Sequence, residues 1–311
     1  MTNSNTILNQ AWEQNWPAPA KINRFLHIVG QRADGYHLLQ SVFQIIDFCD
    51  FLMFSRVNNS EITLSKSTES VEDKDNLAIK AAQLLQRHCQ INSGVCISLV
   101  KNLPIGAGLG GGSSNAATTL LALNLLWECQ LTTGELSELG IQLGADVPFF
   151  IQGQNAFVEG VGEKITPLAI DCPWLLLAIP DTQISTAEVF LSPNLTRDTQ
   201  PITVEQLNQI ETNIQQQLLL KDYGKNDCEE VVLNQYLQVK QTFEQMKLQS
   251  NPRLTGTGSC VFSLYNNESD AIQAIPNSPQ QTQFIIKTAL LESPIQTILM
   301  KFKIIAPSNN K

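Results

Sequence analysis

The chain has 311 residues, 43% of them hydrophobic, and a net charge of −9. The length exceeds the size at which single cores stop growing, so two domains are expected. An acidic chain without a Lys/Arg cluster argues against a nucleic-acid binder, and no apolar run reaches the roughly 18 residues of a membrane helix.

The polar opening, MTNSNTILNQAWEQNW, has neither the basic nor the apolar region of a secretory signal and reads as loose chain. Residues 20–29, AKINRFLHIV, read as a strand, with Lys21, Asn23 and His27 on one face and Ile22, Leu26 and Ile28 on the other. GQRADGYH is a loop with an Asp34-Gly35 turn signal. SVFQIIDFCDFLMF and EITLSK continue in β fashion. Asp75 and Asn76 offer caps to a helix over LAIKAAQLLQRHC. VCISLV is a strand that leads into LPIGAGLGGGSSNAA, and a helix is expected to open at Ser113. Thr132 and Glu135 form a capping box for the next helix, closed by Gly144. FFIQ and NAFVEG then read as β-type.

After Pro167 the pattern restarts, which sets the expected division into 1–168 and 169–311. WLLLAIP is a short buried strand, and residues 197–217 are polar and Gln-rich. One long helix is expected over 228–246. LTGTGSCVFSLY is a glycine turn into a strand. A helix over 269–275 and the strand QFIIKTAL follow. Strands and helices interleave without strict alternation, so the class is α+β. The seven cysteines (Cys49, Cys89, Cys96, Cys129, Cys172, Cys228 and Cys260) are odd in number and show no C-x-x-C spacing. That pattern points to reduced thiols and a cytoplasmic protein, with no zinc site.

Five glycines fall within residues 106–112, and two serines follow. GAGLGG matches the dinucleotide fingerprint, but helix follows helix afterwards and the second strand of a βαβ unit is missing. No Gly-Lys-Ser/Thr ends the loop, so it is not a Walker A sequence. Glycines used only for a tight turn are the plain alternative. Three in a row make phosphate binding the better reading, through backbone N–H groups at a helix N-terminus.

Three blocks stand in order: PAPAKINRFLHIVGQRADGYHLL, LPIGAGLGGGSSNAA and RLTGTGSCVF. Together they resemble the GHMP kinases over roughly residues 17–290. The resemblance implies a two-domain GHMP kinase fold, with an N-terminal α/β domain that carries a left-handed βαβ unit and a C-terminal ferredoxin-like domain. It implies ATP and Mg²⁺ as cofactors, no metal-ligating side chain being obvious. PAKIN, ADGYH and GADVP narrow the expected substrate to a cytidyl diphosphate sugar alcohol of non-mevalonate isoprenoid synthesis.

The same resemblance assigns residues. Asp146 of GADVP would be the base and Lys21 of PAK its partner. A kinase needs a group to accept the hydroxyl proton and cations to stabilise phosphoryl charge, but a surface acid and a solvated lysine are the plain alternatives. ATP would lie on Pro104, Gly106, Gly108, Leu109 and Gly110. It would also meet Gly111, Gly112, Ser113 and Ser114, with Lys101 reaching the nucleotide. Tyr36 would stack on the cytosine, His37 would hydrogen-bond its edge, and Phe190 would cover it. Asn23 would meet the alcohol hydroxyls. Thr186, Gly256, Thr257 and Gly258, beside Ser259, would border the cleft. Pro180-Asp181 and Ser185-Thr186 depart from the family wording, which weakens Thr186 and Phe190. A mevalonate-type or sugar kinase, a catalytically dead regulator and a nucleic-acid module are the competing readings. Partners are expected to be small molecules only, with no nucleic acid and no membrane, and the chain is expected to be a monomer or weak dimer.

Overall fold

The computed structural model describes residues 4–65, 75–203, 206, 224–276 and 282–303. The opening is not loose there: α1 (Ser4–Trp12) seats Ala11 in the first core. β1 (Trp16–Gln31) and β2 (His37–Arg56) then form a long antiparallel pair. β1 runs beyond the expected residues 20–29 at both ends, because Trp16–Pro19 are buried against β2 and Gly30 and Gln31 still pair with Leu38 and His37 at the hairpin. A register shift between Asn23 and Leu26 resets which side chains face which core.

Around β2 gather β3 (Ile62–Leu64), β4 (Val95–Val100), β5 (Ala156–Gly160) and β6 (Lys164–Pro167). The sheet order is β3-β4-β2-β5-β6 with β1 also on β2, and the β3–β4 pair is parallel. Four helices cover one face: α2 (Leu77–His88), α3 (Gly111–Leu126), α4 (Thr133–Gly140) and α5 (Val147–Gln152). Asn76 caps α2 by accepting the Ala78 N–H. Thr132 and Glu135 form the expected capping box of α4. Thr132→Ala should therefore lower unfolding free energy by about 1 kcal/mol. Denaturant titration would check this, and an unchanged midpoint would count against the cap.

Three helices of this half differ from the sequence expectation. FFIQ is helical, in α5: Pro148 starts it with a fitting φ and Gly153 ends it in the left-handed region. A short buried apolar run has no periodicity to separate helix from strand. α4 stops at Gly140, not Gly144. α3 starts at Gly111, two residues before Ser113, with Gly110 as its left-handed cap.

The second sheet has the order β10-β7-β9-β8. Its strands are β7 (Trp174–Pro180), β8 (Arg253–Leu254), β9 (Val261–Tyr265) and β10 (Thr282–Thr288), all antiparallel. α6 (Thr186–Leu191) follows β7 and α9 (Glu268–Gln273) follows β9. The expected single helix is two, α7 (Glu229–Gln235) and α8 (Leu237–Lys247), because Tyr236 takes extended angles of φ −119 and ψ 96. The break lets both pieces press valines into one core. Much of the Gln-rich stretch, residues 204–205 and 207–217, lies outside the described residues.

Ala20, Ile22, Ile46 and Phe48 of the first sheet meet Leu175, Leu177 and Phe262 of the second in a shared core. Buried Arg24 adds a polar tie, donating to Gln44 Oε1 (2.9 Å) and Asp171 Oδ1 (3.1 Å). The chain finally returns to the first lobe. α10 (Pro294–Lys303), beyond the resemblance, places Ile295, Leu299 and Phe302 in the first core, with Phe302 beside Trp16. β1 thus lies at the centre of the molecule, where both lobes can reach its side chains.

Candidate active site

The glycine loop is anchored before it begins. Asp50, fully buried on β2, accepts the N–H groups of Asn102 and Leu103 (both 2.8 Å) and the Lys101 ammonium (2.8 Å). Lys101 also donates to the Leu103 carbonyl, so it braces the loop from below. Gly108 and Gly110 sit at φ +75 and +73, where other residues are strained. A Cβ on Gly108 would stand 2.1 Å from the Thr255 carbonyl oxygen, and one on Gly110 would meet the Phe150 ring at 2.9 Å. The bare backbone is therefore required twice: by dihedral angle and by close approach. It delivers the unpaired first-turn N–H groups of α3 into the cleft.

Lys21 and Asn23 share a face of β1. The Lys21 ammonium donates to Asn23 Oδ1 (2.6 Å), stands 3.6 Å from Asp146 Oδ2 and lies 4.5 Å from the Phe43 ring centroid. Its backbone N–H bonds the Leu109 carbonyl, which ties strand and loop together. Asp146 caps α5 in position only; its carboxylate makes no capping bond and is left to Lys21. The lysine side chain is 5% exposed and the aspartate 30%, so the pair has one face open to the cleft. Burial pushes the Lys21 ammonium below the ordinary lysine value, and the neighbouring Asp146 charge offsets part of that fall.

The third block closes the site from the second lobe. Thr255 Oγ1 accepts the Asn23 N–H (3.0 Å) and donates to the Gly108 carbonyl (3.3 Å). Asn226 Nδ2 holds the carbonyls of Leu254 and Gly256 (both 2.8 Å). The hydroxyls of Thr186 and Thr257 lie 2.9 Å apart.

These elements enclose a cavity of about 1060 Å³. Its walls include every site residue expected from the sequence except Ser114 and Gly258. Ser114 points into the protein, and Gly258 packs against Leu254 and Ile184. One end of the cavity is apolar, with Leu64, Leu77 and Leu99. The other end carries Tyr36, which is exposed, and His37 stacked on Phe190 with ring centroids 5.1 Å apart. Asp181 is exposed and does not line the cavity, so its charge does not face the site. Ser185 has a task of its own, accepting the Glu188 N–H as the cap of α6.

The sequence reading missed Asp50, Asn115 and Arg197. Asp50 left a signal, an acid inside the apolar run FCDFLMF. Asn115 lines the cavity, and its buried Oδ1 has no partner among the described residues. Arg197 donates to His37 Nε2 and to three carbonyls, and nothing in its local sequence announces this.

Residues 76–154 match the family model of the GHMP kinases N terminal domain. A mevalonate kinase of known structure is 15% identical, with a TM-score of 0.57 over 90% of this chain and 100% of its own, and so shows the shared fold. The chain belongs to the 4-diphosphocytidyl-2-C-methyl-D-erythritol kinase family of GHMP kinases. The relative of that name from Shewanella baltica (strain OS195) is 44% identical over 290 residues, which cover 93% of this chain and 98% of its own. The one from Nitrosococcus oceani is 45% identical over 271 residues, 87% and 92% of the two chains. A crystal structure of 4-(cytidine 5'-diphospho)-2C-methyl-D-erythritol kinase is 29% identical, with a TM-score of 0.73 and coverage of 89% and 99%. Among the described residues no helix is long and apolar enough to cross a membrane.

Proposed function

We propose that this cleft transfers the γ-phosphate of ATP to the 2-hydroxyl of 4-diphosphocytidyl-2-C-methyl-D-erythritol, a step of non-mevalonate isoprenoid synthesis. The observation that carries the reading is the Lys21–Asp146 pair at the mouth of the glycine loop. Asp146 accepts the hydroxyl proton. The Lys21 ammonium, fixed by Asn23 and Phe43, orients that carboxylate and stabilises charge on the attacking oxygen. The N-terminus of α3 and the amides of residues 106–113 hold the phosphates, where the helix dipole favours negative charge. The apolar end takes the adenine, and Tyr36, His37 and Phe190 take the cytosine. Thr186, Gly256 and Thr257 border the substrate between them.

The donor set fits a Mg²⁺ that rides on the nucleotide. Among the described residues no cluster of three acidic, His or Cys side chains could hold a metal. The buried, unpartnered Asn115 Oδ1 and the Ser113 hydroxyl are oxygen donors at the phosphate end. Bound there with ATP, the ion would neutralise phosphoryl charge. The working division is an N-terminal domain, 1–168, with a left-handed βαβ unit and a ferredoxin-like C-terminal domain, 169–311, whose last helix docks back on the first. The chain is read as a cytoplasmic monomer or weak dimer.

Phosphorus NMR of the product tests the reaction. With Mg·ATP and the cytidyl substrate, one new phosphomonoester signal should appear while the substrate diphosphate signals persist. Cleavage of the diphosphate instead would sink the assignment.

A further inference from the structure

The proposed cytosine end contains an arginine that binds only protein. Arg197 Nε donates to His37 Nε2 at 3.0 Å. Its two terminal nitrogens donate to the carbonyls of Leu195 (3.0 Å), Phe190 (3.1 Å) and Ser192 (2.8 Å). A guanidinium is a donor only, so the ring nitrogen that faces it must be a bare acceptor. The His37 proton must then sit on Nδ1, the less favoured position of a free imidazole. Nδ1 has no hydrogen-bond partner among the described residues, and His37 lines the cavity. The same arginine holds the carbonyl of Phe190, whose ring stacks on the imidazole.

We propose that Arg197 is a positioning residue that sets base specificity by locking His37 in the Nδ1–H tautomer. The inference rests on the reading that His37 faces the pyrimidine. A fixed N–H donor pairs with ring N3 of cytosine, which is an acceptor. Uracil presents N3–H there, donor against donor, and the mismatch leaves polar groups unpaired in a partly closed site. Protonated His37 would set an Nε2–H against the guanidinium. Burial and then the Arg197 charge hold its pKa below the ordinary histidine value, so the neutral ring persists at physiological pH. Arg197 is the charged group that contacts the ring.

The direct test is nitrogen-15 NMR of the intact protein labelled at histidine. The His37 signals should show the proton on Nδ1 in the wild type, with no substrate present. A proton on Nε2 would overturn the proposal whatever the kinetics show. Kinetics then compare the cytidyl substrate with its uridyl analogue in wild type, Arg197→Lys and Arg197→Ala. The wild-type preference in kcat/KM should be about 10–100-fold, as expected for one mismatched hydrogen bond. It should collapse in Arg197→Ala through KM, with the His37 proton moving to Nε2. A purely structural role would weaken both substrates equally and leave the ratio intact, which would overturn the proposal. A wild type with the Nδ1 proton that fails to turn over the cytidyl substrate would overturn the functional reading instead.

Discussion

Asp146→Asn should lower kcat for the cytidyl substrate by about 10²–10⁴, the range for loss of a positioned general base. The amide keeps the shape of the side chain but cannot accept the proton. KM for ATP should change little, since the amides of the glycine loop hold the phosphates and Asp146 meets the acceptor hydroxyl. The substitution also removes the charge that supports Lys21 at 3.6 Å. Burial already lowers the lysine pKa and Asp146 works against that fall. The charged amine is needed, so activity is lost as pH rises through the lowered value. The alkaline limb of the wild-type profile should lie below the ordinary lysine range, and the residual activity of Asp146→Asn should fall at lower pH still. A change of only a few-fold in kcat would remove Asp146 from the role of base.

Gly108→Ala should have the second large effect, on ATP binding and on stability together. An alanine at φ +75 is strained by about 1 kcal/mol. Its Cβ would also stand 2.1 Å from the Thr255 carbonyl oxygen and 3.2 Å from that of Gly258. Thr255 cannot retreat cheaply, because its N–H bonds the Cys260 carbonyl and its hydroxyl holds Asn23 and Gly108. The expected loss is about 3 kcal/mol of unfolding free energy, with KM for ATP raised at least roughly tenfold. Gly35→Ala is the matched comparison, with φ +89 but nothing within 4 Å of its Cβ. It should lose only the conformational part. Equal unfolding midpoints for the two variants, with ATP binding intact in Gly108→Ala, would show that the loop does not depend on this contact.

What could be read in advance follows from the range of the interactions. Asn76 and Thr132 bond N–H groups two and three residues ahead, so their caps are written in the local sequence. Lys21 and Asn23 are two apart on a strand, and their shared face follows from the pleat. The glycine loop is legible because a run of glycines is costly to order unless something must approach the backbone. Arg197 is the opposite case. Its partner His37 lies 160 residues away, and only the folded chain brings the two together. The same holds for Thr255 and Asn23, 232 residues apart. α5 departs from the strand expectation for a different reason: its six residues, five of them buried, show neither period, and only Pro148 in the first turn and Gly153 at the C-cap mark it as helix. α10 lies beyond the resemblance, and its packing on Trp16 depends on the far end of the chain.

The most direct test of the account compares kcat/KM for three alcohols in parallel: 4-diphosphocytidyl-2-C-methyl-D-erythritol, mevalonate and galactose. ADP release from Mg·ATP would be followed with purified protein, and Asp146→Asn would serve as the control. Turnover is expected with the cytidyl substrate alone, at least about a hundredfold slower in the variant. Comparable turnover with mevalonate or galactose, or a variant within a few-fold of the wild type, would contradict the central claim.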